Sequence, residues 1–279
     1  MPDGMRRTLR GVELARAVAL ASLLCAAALI FVVSAPMAVA SAPATWKADL
    51  YDARAVIWQE PDGSACTSAA AQMMLNIVAY ESGSDYLAPP DSLAPRTAPR
   101  WHVDTSHETM EALLAYERSN MTMLASSAGA DPHGWRNALN YYGWGSVNAG
   151  VYRDSAYFSF DDAARAAVTS VARSGSPVGI LARGGSHAQL VTGYVVTGED
   201  PRIGDDFTIQ GVYLTDPLRR VAMRDAWIPL DEWRSGAEAV RFSRYLQNDS
   251  PYRDGLDGNV GTSEWYGKWV IVSPVGQSG

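Results

Sequence analysis

The sequence predicts an α+β domain in which helices come first and an antiparallel sheet follows, rather than a sheet that alternates with helices. The first two thirds of the 279 residues contain apolar side chains at helical spacing. The last third contains short β-branched and aromatic runs separated by Gly, Pro and Asp. Apolar residues at 47% and charged residues at 19% indicate a globular chain, long enough to bury a core without crosslinks.

The first predicted helix begins at Cys66. Before it, residues 55–58 suit a strand or a packed arm that ends at a Pro-Asp-Gly turn. From Cys66 to residue 80, small polar side chains give way to apolar ones at helical spacing, which predicts a buried helix. Residues 82–99 are rich in Ser, Pro and Asp, and they predict a surface loop.

Three further helices are predicted at residues 108–118, 131–142 and 161–173. Thr105 or Ser106 can cap the first of them. Asp131 caps the second, and Pro132 occupies its first turn. Gly175 ends the third.

Strands are predicted at residues 176–183, 188–196, 208–215 and 267–273, where β-branched and aromatic residues are bounded by turn residues. Residues 227–234 predict a helical turn between the last two strands. No internal repeat and no convincing linker interrupts the chain, so a single domain is expected after the N-terminal segment.

The N-terminal segment has the three regions of a secretory signal. Arginines precede a predominantly apolar run at residues 17–33, and small residues follow at 34–44. Cleavage is predicted after Ala38-Val39-Ala40, which gives a signal peptide at 1–40 and a secreted domain at 41–279. An uncleaved membrane anchor stays open as the alternative, because seventeen residues lie at the short end of a membrane span. Contact with a membrane is otherwise expected only during export.

The secreted domain is acidic. Removing residues 1–40 takes away four Arg, one Asp and one Glu, and it changes the formal net charge from −7 to −9. The remaining basic residues are scattered, with lysine only at positions 47 and 268. Since no basic stripe is available to neutralise phosphates, nucleic acid is not an expected partner.

Cys66 is the sole cysteine of residues 41–279. In an oxidising compartment a lone thiol is either buried and inert, or retained because it reacts. Cys66 is expected at the start of a helix, where unpaired N–H groups and the helix dipole favour a thiolate. The position therefore predicts a nucleophile that attacks carbonyl carbon.

A nucleophilic cysteine needs a base nearby and a third group that orients the base. Among the four histidines, His187 opens an apolar run directly after Gly-Gly-Ser, which predicts a polar ring at the edge of a sheet. Asp216 follows the end of the next predicted strand. If those strands form a hairpin, both side chains lie at one rim. The alternatives for the third group are Asp200, Asp205 and Asp206.

Gln59 stands seven residues before Cys66. An amide in that position can donate a hydrogen bond, together with the Cys66 backbone N–H, to an oxyanion that develops on a carbonyl. The predicted catalytic residues are therefore Cys66 as nucleophile, His187 as base, Asp216 as orienting group and Gln59 in the oxyanion hole.

Four motifs extend this interpretation: Trp58-Gln59-x6-Cys66-x-x-Ala69, Ser174-Gly175-x-Pro177-Val178, His187-x3-Val191-x-Gly193-Tyr194, and Tyr213-x-x-Asp216-Pro217. In order and spacing they resemble cysteine peptidase family thirty-nine, over residues 55–220. That family includes the double-glycine leader peptidases of bacteriocin exporters and stand-alone secreted relatives. The resemblance implies a papain-like cysteine peptidase fold, with a helical N-terminal part and an antiparallel sheet in the C-terminal part.

The resemblance also implies the same four roles for Cys66, His187, Asp216 and Gln59. One departure is that Thr67-Ser68 replaces the Gly-Pro that usually follows the nucleophile. A second is that neither a transporter domain nor a phosphate-binding loop accompanies the domain, so leader-peptide maturation is not implied.

The expected activity is hydrolysis of amide bonds by an exported cysteine peptidase, acting on a peptide, a protein or a cell-wall peptide. Two alternatives are a catalytically inactive papain-like binding domain, and an acyltransferase or amidase that uses the same triad. The oligomeric state is left open by the sequence.

No cofactor and no metal site is predicted. His102 and His107 lie near Asp104 and Glu108, but this loop lacks a clear third ligand and a rigid frame. The acidic residues at 249–257 lack the ordered spacing of a calcium loop and suit a solvated turn. The numerous Trp and Tyr residues are expected mostly in the core and at its rim.

Overall fold

The structure is a computed structural model. It describes residues 42–56, 64–83, 100–122, 129–218, 223–239, 241–243 and 264–275. The chain divides into two compact units, Met1–Ala42 and Pro43–Gly279, and every element named below belongs to the second. Outside the described residues lie the predicted signal peptide, residues 84–99 of the loop predicted at 82–99, Gln59 and the acidic residues 249–257.

The helices of the described residues are α1 (Cys66–Gly83), α2 (His107–Ser119), α3 (Pro132–Trp144), α4 (Phe160–Ser174) and the short α5 (Leu230–Ser235). The predicted cap residues stand where expected. Ser106 accepts a hydrogen bond from the Thr109 N–H, and Asp131 accepts one from the Gly134 N–H. Gly175 adopts the left-handed conformation that ends α4. The four long predicted helices are thus confirmed.

The strands are β1 (Thr45–Asp49), β2 (Tyr152–Tyr157), β3 (Val178–Ala182), β4 (His187–Gly198), β5 (Phe207–Thr215), β6 (Ala226–Pro229) and β7 (Trp269–Pro274). They form one sheet in the order β2-β7-β3-β4-β5-β6, and β1 pairs with β4. Every pairing is antiparallel. The α+β prediction is therefore confirmed.

Three local features differ from the predictions. Residues 55–58 were predicted as a strand or a packed arm, but Ala55 lies in a turn, residues 57–58 lie outside the described residues, and the strand of this region is β1. The edge strand β2 was not predicted, because its polar residues lack the alternation of a half-buried strand. The first half of the helical turn predicted at 227–234 is strand β6, and only its second half, α5, is helical. Helices and strands are consequently more interleaved than expected.

Helix α1 runs through the core, and every side chain from Cys66 to Val78 is buried. Its polar side chains have hydrogen-bond partners. The Gln72 amide donates to the backbone of Asp104 and Ser106, and the Asn76 amide donates to the backbone of Ala55 and Asp104. These bonds fix the rotation of α1, because each would be lost if the helix turned about its axis.

No helix among the described residues is long and apolar enough to span a bilayer.

Candidate active site

The ends of two adjacent strands bring His187 and Asp216 together. His187 is the first residue of β4, and Asp216 directly follows the end of β5. The antiparallel register pairs Leu190 with Thr215, so both residues lie at the same end of the sheet. His187 Nε2 lies 2.8 Å from Asp216 Oδ1. Both side chains are buried, with relative exposures of 5% and 0%.

A tight turn between β3 and β4 sets the position of His187. Arg183, Gly184 and Gly185 have φ angles of 51°, 70° and 83°, in the left-handed region that favours glycine. A Cβ atom at Gly185 would lie 2.3 Å from the ring of Phe242, so a larger residue there would displace that ring. The turn therefore depends on glycine at 185.

Cys66 begins α1 and faces this turn. The helix packs against β3 and β4, and Cys66 shares a core cluster with Leu181 and Ala188, which flank the turn. An interaction with the Cys66 side chain is among the causes that raise the pKa of the His187 ring, so the two side chains are neighbours. Because Nε2 of the ring is bound to Asp216, Nδ1 is the nitrogen left for the thiol. The sulfur, the imidazole and the carboxylate are thus arranged in series.

This series holds a proton on the imidazole. Burial alone would lower the pKa of His187, but hydrogen bonds and charge interactions with Asp216 and Cys66 raise that pKa to about 9. Burial would raise the pKa of the Asp216 carboxyl, whereas bonds from His187, Gln189 and the Leu218 N–H lower it below its usual value. At neutral pH the arrangement therefore favours an imidazolium that is paired with the Asp216 carboxylate.

Gln189 and Arg183 also contact Asp216, and neither was among the predicted site residues. Gln189 Nε2 donates to Asp216 Oδ2 at 2.7 Å, and the backbone N–H of Leu218 donates to Oδ1 at 2.7 Å. Arg183 forms a two-pronged ion pair with Glu238, and its guanidinium lies 3.7 Å from Asp216 Oδ2. The spacing of His187 and Gln189 was a usable signal, because residues two apart on a strand share one face.

The two residues that depart from the family motif are accommodated in the core. Thr67 Oγ1 donates to Glu117 Oε2 at 2.7 Å, and Ser68 Oγ donates to the Ala65 carbonyl at 3.1 Å. Glu117 belongs to α2 and is fully buried. Desolvation is the main cause that raises the pKa of Glu117 to about 8, and the bond from Thr67 opposes it. A neutral Glu117 is therefore the partner of the residue that follows Cys66.

Replacing Glu117 with glutamine is expected to stabilise the protein at about pH 8 and to change little at about pH 5. The folded-state pKa lies above the ordinary value of 4.5, so the folded state retains a proton that the unfolded state releases as pH rises. The contribution of this proton to the free energy of unfolding is therefore lost as pH rises from 4.5 to about 8. Glutamine can still accept the Thr67 bond and carries no charge, so the difference between the proteins at high pH should be on the order of a few kcal/mol.

Urea unfolding of wild type and Glu117→Gln at both pH values measures this difference. Glu111→Gln, an exposed change on the same helix, is the matched control and should leave the pH dependence unaltered. Equal loss of stability with pH in wild type and Glu117→Gln would contradict an uncharged Glu117.

Asp104, between His102 and His107 in the chain, helps to form the start of α2. The Asp104 carboxylate accepts hydrogen bonds from Thr109 Oγ1 and from the Ser106 N–H, so it shapes the start of α2. Within the part of the chain that the structure describes, one group of three potential metal ligands lies close together, and it contains none of the residues at 102, 104, 107 and 108.

Gln59 lies outside the described residues, so its position relative to Cys66 stays a prediction. Of the predicted site residues, Cys66, His187 and Asp216 lie together. Asp200 is paired with Arg202, and Asp205 is paired with Arg173. Neither of these two alternative carboxylates carries the contact to His187.

Comparison of the chain with protein-family models, with curated proteins and with solved structures finds no match in any of the three.

Proposed function

We propose that the chain is an exported cysteine peptidase that cleaves amide bonds through Cys66, His187 and Asp216. The observation that carries this proposal is the buried series from the Cys66 thiol through the His187 ring to the Asp216 carboxylate. An inert thiol has no need of an imidazole that is itself held by a carboxylate.

Each group has one role in the proposed reaction. The Cys66 thiolate attacks the carbonyl carbon of the scissile amide, and the electron pair of the carbonyl moves to its oxygen. The His187 imidazolium donates its proton to the leaving nitrogen as the C–N bond breaks, which leaves a thioester on Cys66. The neutral imidazole then takes a proton from water, and the resulting hydroxide releases the acid product and the thiolate.

The developing oxyanion requires donors. The first N–H groups of a helix have no acceptor within the helix, so the backbone N–H of Cys66 suits this role. Gln59 is the proposed second donor, by its place in the family motif. Asp216, in turn, keeps the ring of His187 in one orientation and stabilises its charged form.

The proposed fold is papain-like. A buried helix that begins at the nucleophile and a sheet edge that carries the base agree with the resemblance to cysteine peptidase family thirty-nine. Bonds from Thr67 and Ser68 keep their hydroxyl groups inside the core, so this departure from the family motif fits the packing at the start of the helix. Export rests on the predicted signal peptide.

The proposal is tested by incubating the purified full-length chain with a mixture of short peptides of varied sequence and reading new termini by mass spectrometry. Cleavage by wild type and none by Cys66→Ala is the expected result. An added amine acceptor separates transfer from hydrolysis, because transfer yields acceptor amides in place of free acids. Identical products from the two proteins would exclude Cys66 as the nucleophile.

The Asp216→Asn variant is expected to lose activity about tenfold or more at neutral pH and to shift the alkaline limb of the pH profile. The raised pKa of His187, about 9, means that wild type keeps its imidazolium until the pH approaches that value. Removing the negative charge lowers the pKa of His187, so the alkaline limb should move to lower pH. Peptide cleavage across the pH range measures it.

Asp205→Asn is the matched control, because Asp205 is exposed and pairs with Arg173. Its alkaline limb should coincide with that of wild type. An unchanged limb in Asp216→Asn would show that Asp216 does not set the charge of His187.

A further inference from the structure

His133, Asp154 and Glu264 form a second cluster of polar side chains, which the proposed reaction does not use. They come from α3, from β2 and from the segment just before β7. The side chains of His133 and Asp154 are buried, with exposures of 7% and 2%, whereas Glu264 is one-third exposed at 33%. One ligand atom from each lies within 4.8 Å of the others. We refer to these three residues as the His133 cluster.

The two separations that involve His133 match those of ligands around an ion. His133 Nε2 lies 3.3 Å from Asp154 Oδ2 and 3.4 Å from Glu264 Oε1. Charge-assisted N–H···O bonds are typically about 2.7–2.9 Å. In a tetrahedral zinc site with bonds of about 2.0–2.1 Å, neighbouring ligand atoms lie about 3.3–3.4 Å apart. One ring nitrogen therefore faces two carboxylates at distances that suit a shared cation.

Neighbouring side chains fix the orientation of these ligands. Thr122 Oγ1 is hydrogen-bonded to His133 Nδ1, which turns Nε2 towards the carboxylates. Asp154 Oδ1 accepts from Arg136 at 2.8 Å, and Oδ2 accepts from the Trp265 indole at 3.2 Å. Such outer partners are typical of metal ligands, because they set the tautomer of the histidine and the direction of the carboxylate.

The charge near His133 is also negative. The carboxylates of Asp154 and Glu264 are joined by that of Asp131, the N-cap of α3, against the guanidinium of Arg136. A divalent cation would reduce the repulsion between Asp154 and Glu264. The partly exposed Glu264 provides a path to solvent, both for the ion and for a water ligand.

We propose that His133, Asp154 and Glu264 bind one Zn²⁺ ion, with water in the fourth position. One nitrogen and two carboxylate oxygens form a set that zinc accepts, and three protein ligands leave a position for water. The ion links α3, β2 and the segment that precedes β7. The site is separate from Cys66 and does not depend on its reactivity.

The proposed ion would also fix one wall beside the candidate active site. Trp265 follows Glu264, and its ring packs edge-on against His133 with centroids 4.8 Å apart. The ring of Phe242 lies 5.9 Å from that of Trp265, and it is also the ring that crowds Gly185 in the turn before His187. The Phe242 ring thus connects Trp265, next to Glu264, with the turn before His187.

The test is zinc binding to the full-length chain with both cysteines replaced by alanine, so that Cys25 and Cys66 cannot hold the ion. Competition with a chelating dye should give one Zn²⁺ per chain. Glu264→Gln should weaken binding about tenfold or more, and His133→Ala should weaken it further. The matched control Glu232→Gln, an exposed change on α5, should leave the affinity unchanged.

Because His133 is buried, the His133→Ala variant can lose binding simply by misfolding, and two further readouts distinguish this from loss of a ligand. Glu264→Gln alters a partly exposed side chain, so its thermal unfolding without metal should match that of the cysteine-free parent. Added Zn²⁺ should raise the unfolding temperature of the parent more than that of the variant. Co²⁺ in place of zinc should give the visible absorption of a tetrahedral site. Absence of binding by the parent, or equal affinity in the parent and Glu264→Gln, would overturn the site.

Discussion

Replacing Cys66 with alanine is expected to abolish peptide cleavage and to reduce its rate by about 10⁴-fold or more. The sulfur forms the bond to the acyl group in the proposed reaction, and alanine offers no atom that can replace it. The change should leave the fold intact, because Cys66 is a small residue at the start of a helix whose side chains are buried from Cys66 to Val78. Cleavage rates and covalent labelling by a peptidyl thiol-reactive probe measure the effect.

Cys25→Ala is the matched control for this experiment, since it removes the other cysteine of the chain. It should retain both cleavage and labelling. Labelling that persists in Cys66→Ala and disappears in Cys25→Ala would show that the reactive thiol is Cys25.

Replacing His187 with alanine is expected to reduce cleavage by about 10³-fold or more, with a loss in kcat larger than any rise in KM. In the proposed reaction His187 supplies the proton for the leaving nitrogen, and its raised pKa keeps that proton available. The Asp216 carboxylate would also lose the imidazolium that neutralises it in the core, so some loss of stability should accompany the change. Steady-state kinetics and urea unfolding separate the two effects.

His102→Ala is the control for His187→Ala, because His102 is exposed on the loop before α2. It should leave kcat and stability unchanged. Wild-type kcat in His187→Ala would show that the imidazole takes no part in the reaction.

The helices could be predicted because their ends carry local signals. Ser106, Asp131 and Gly175 act on the backbone within a few residues, so sequence alone placed these caps. The edge strands are different. β1 and β2 are mostly polar and are defined by pairing with β4 and β7, which lie far away in the chain. Local periodicity could not reveal them.

The grouping of Cys66, His187 and Asp216 could be anticipated because each residue stands at the start or end of a predicted element. Strand ends that meet in an antiparallel pair bring His187 and Asp216 together without knowledge of any side-chain contact. Gln189 was open to the same reasoning, since it shares a strand face with His187.

Other partners could not be predicted from the sequence. Thr67 and Glu117 are 50 residues apart, and a buried glutamate on an amphipathic helix gives no sign of its partner. Arg183 reaches Glu238 only because the turn before His187 takes three left-handed residues in succession. The His133 cluster likewise draws one residue from each of three distant segments. These contacts depend on packing between elements, which local patterns do not encode.

The most direct test of the central claim is the rate of Cys66 alkylation by iodoacetamide at about pH 7, followed by mass spectrometry of the Cys66 peptide. If the His187 ring activates the sulfur, wild type should be alkylated about tenfold or more faster than His187→Ala. The control His102→Ala should react at the wild-type rate. Equal alkylation rates in wild type and His187→Ala would contradict a catalytic pair.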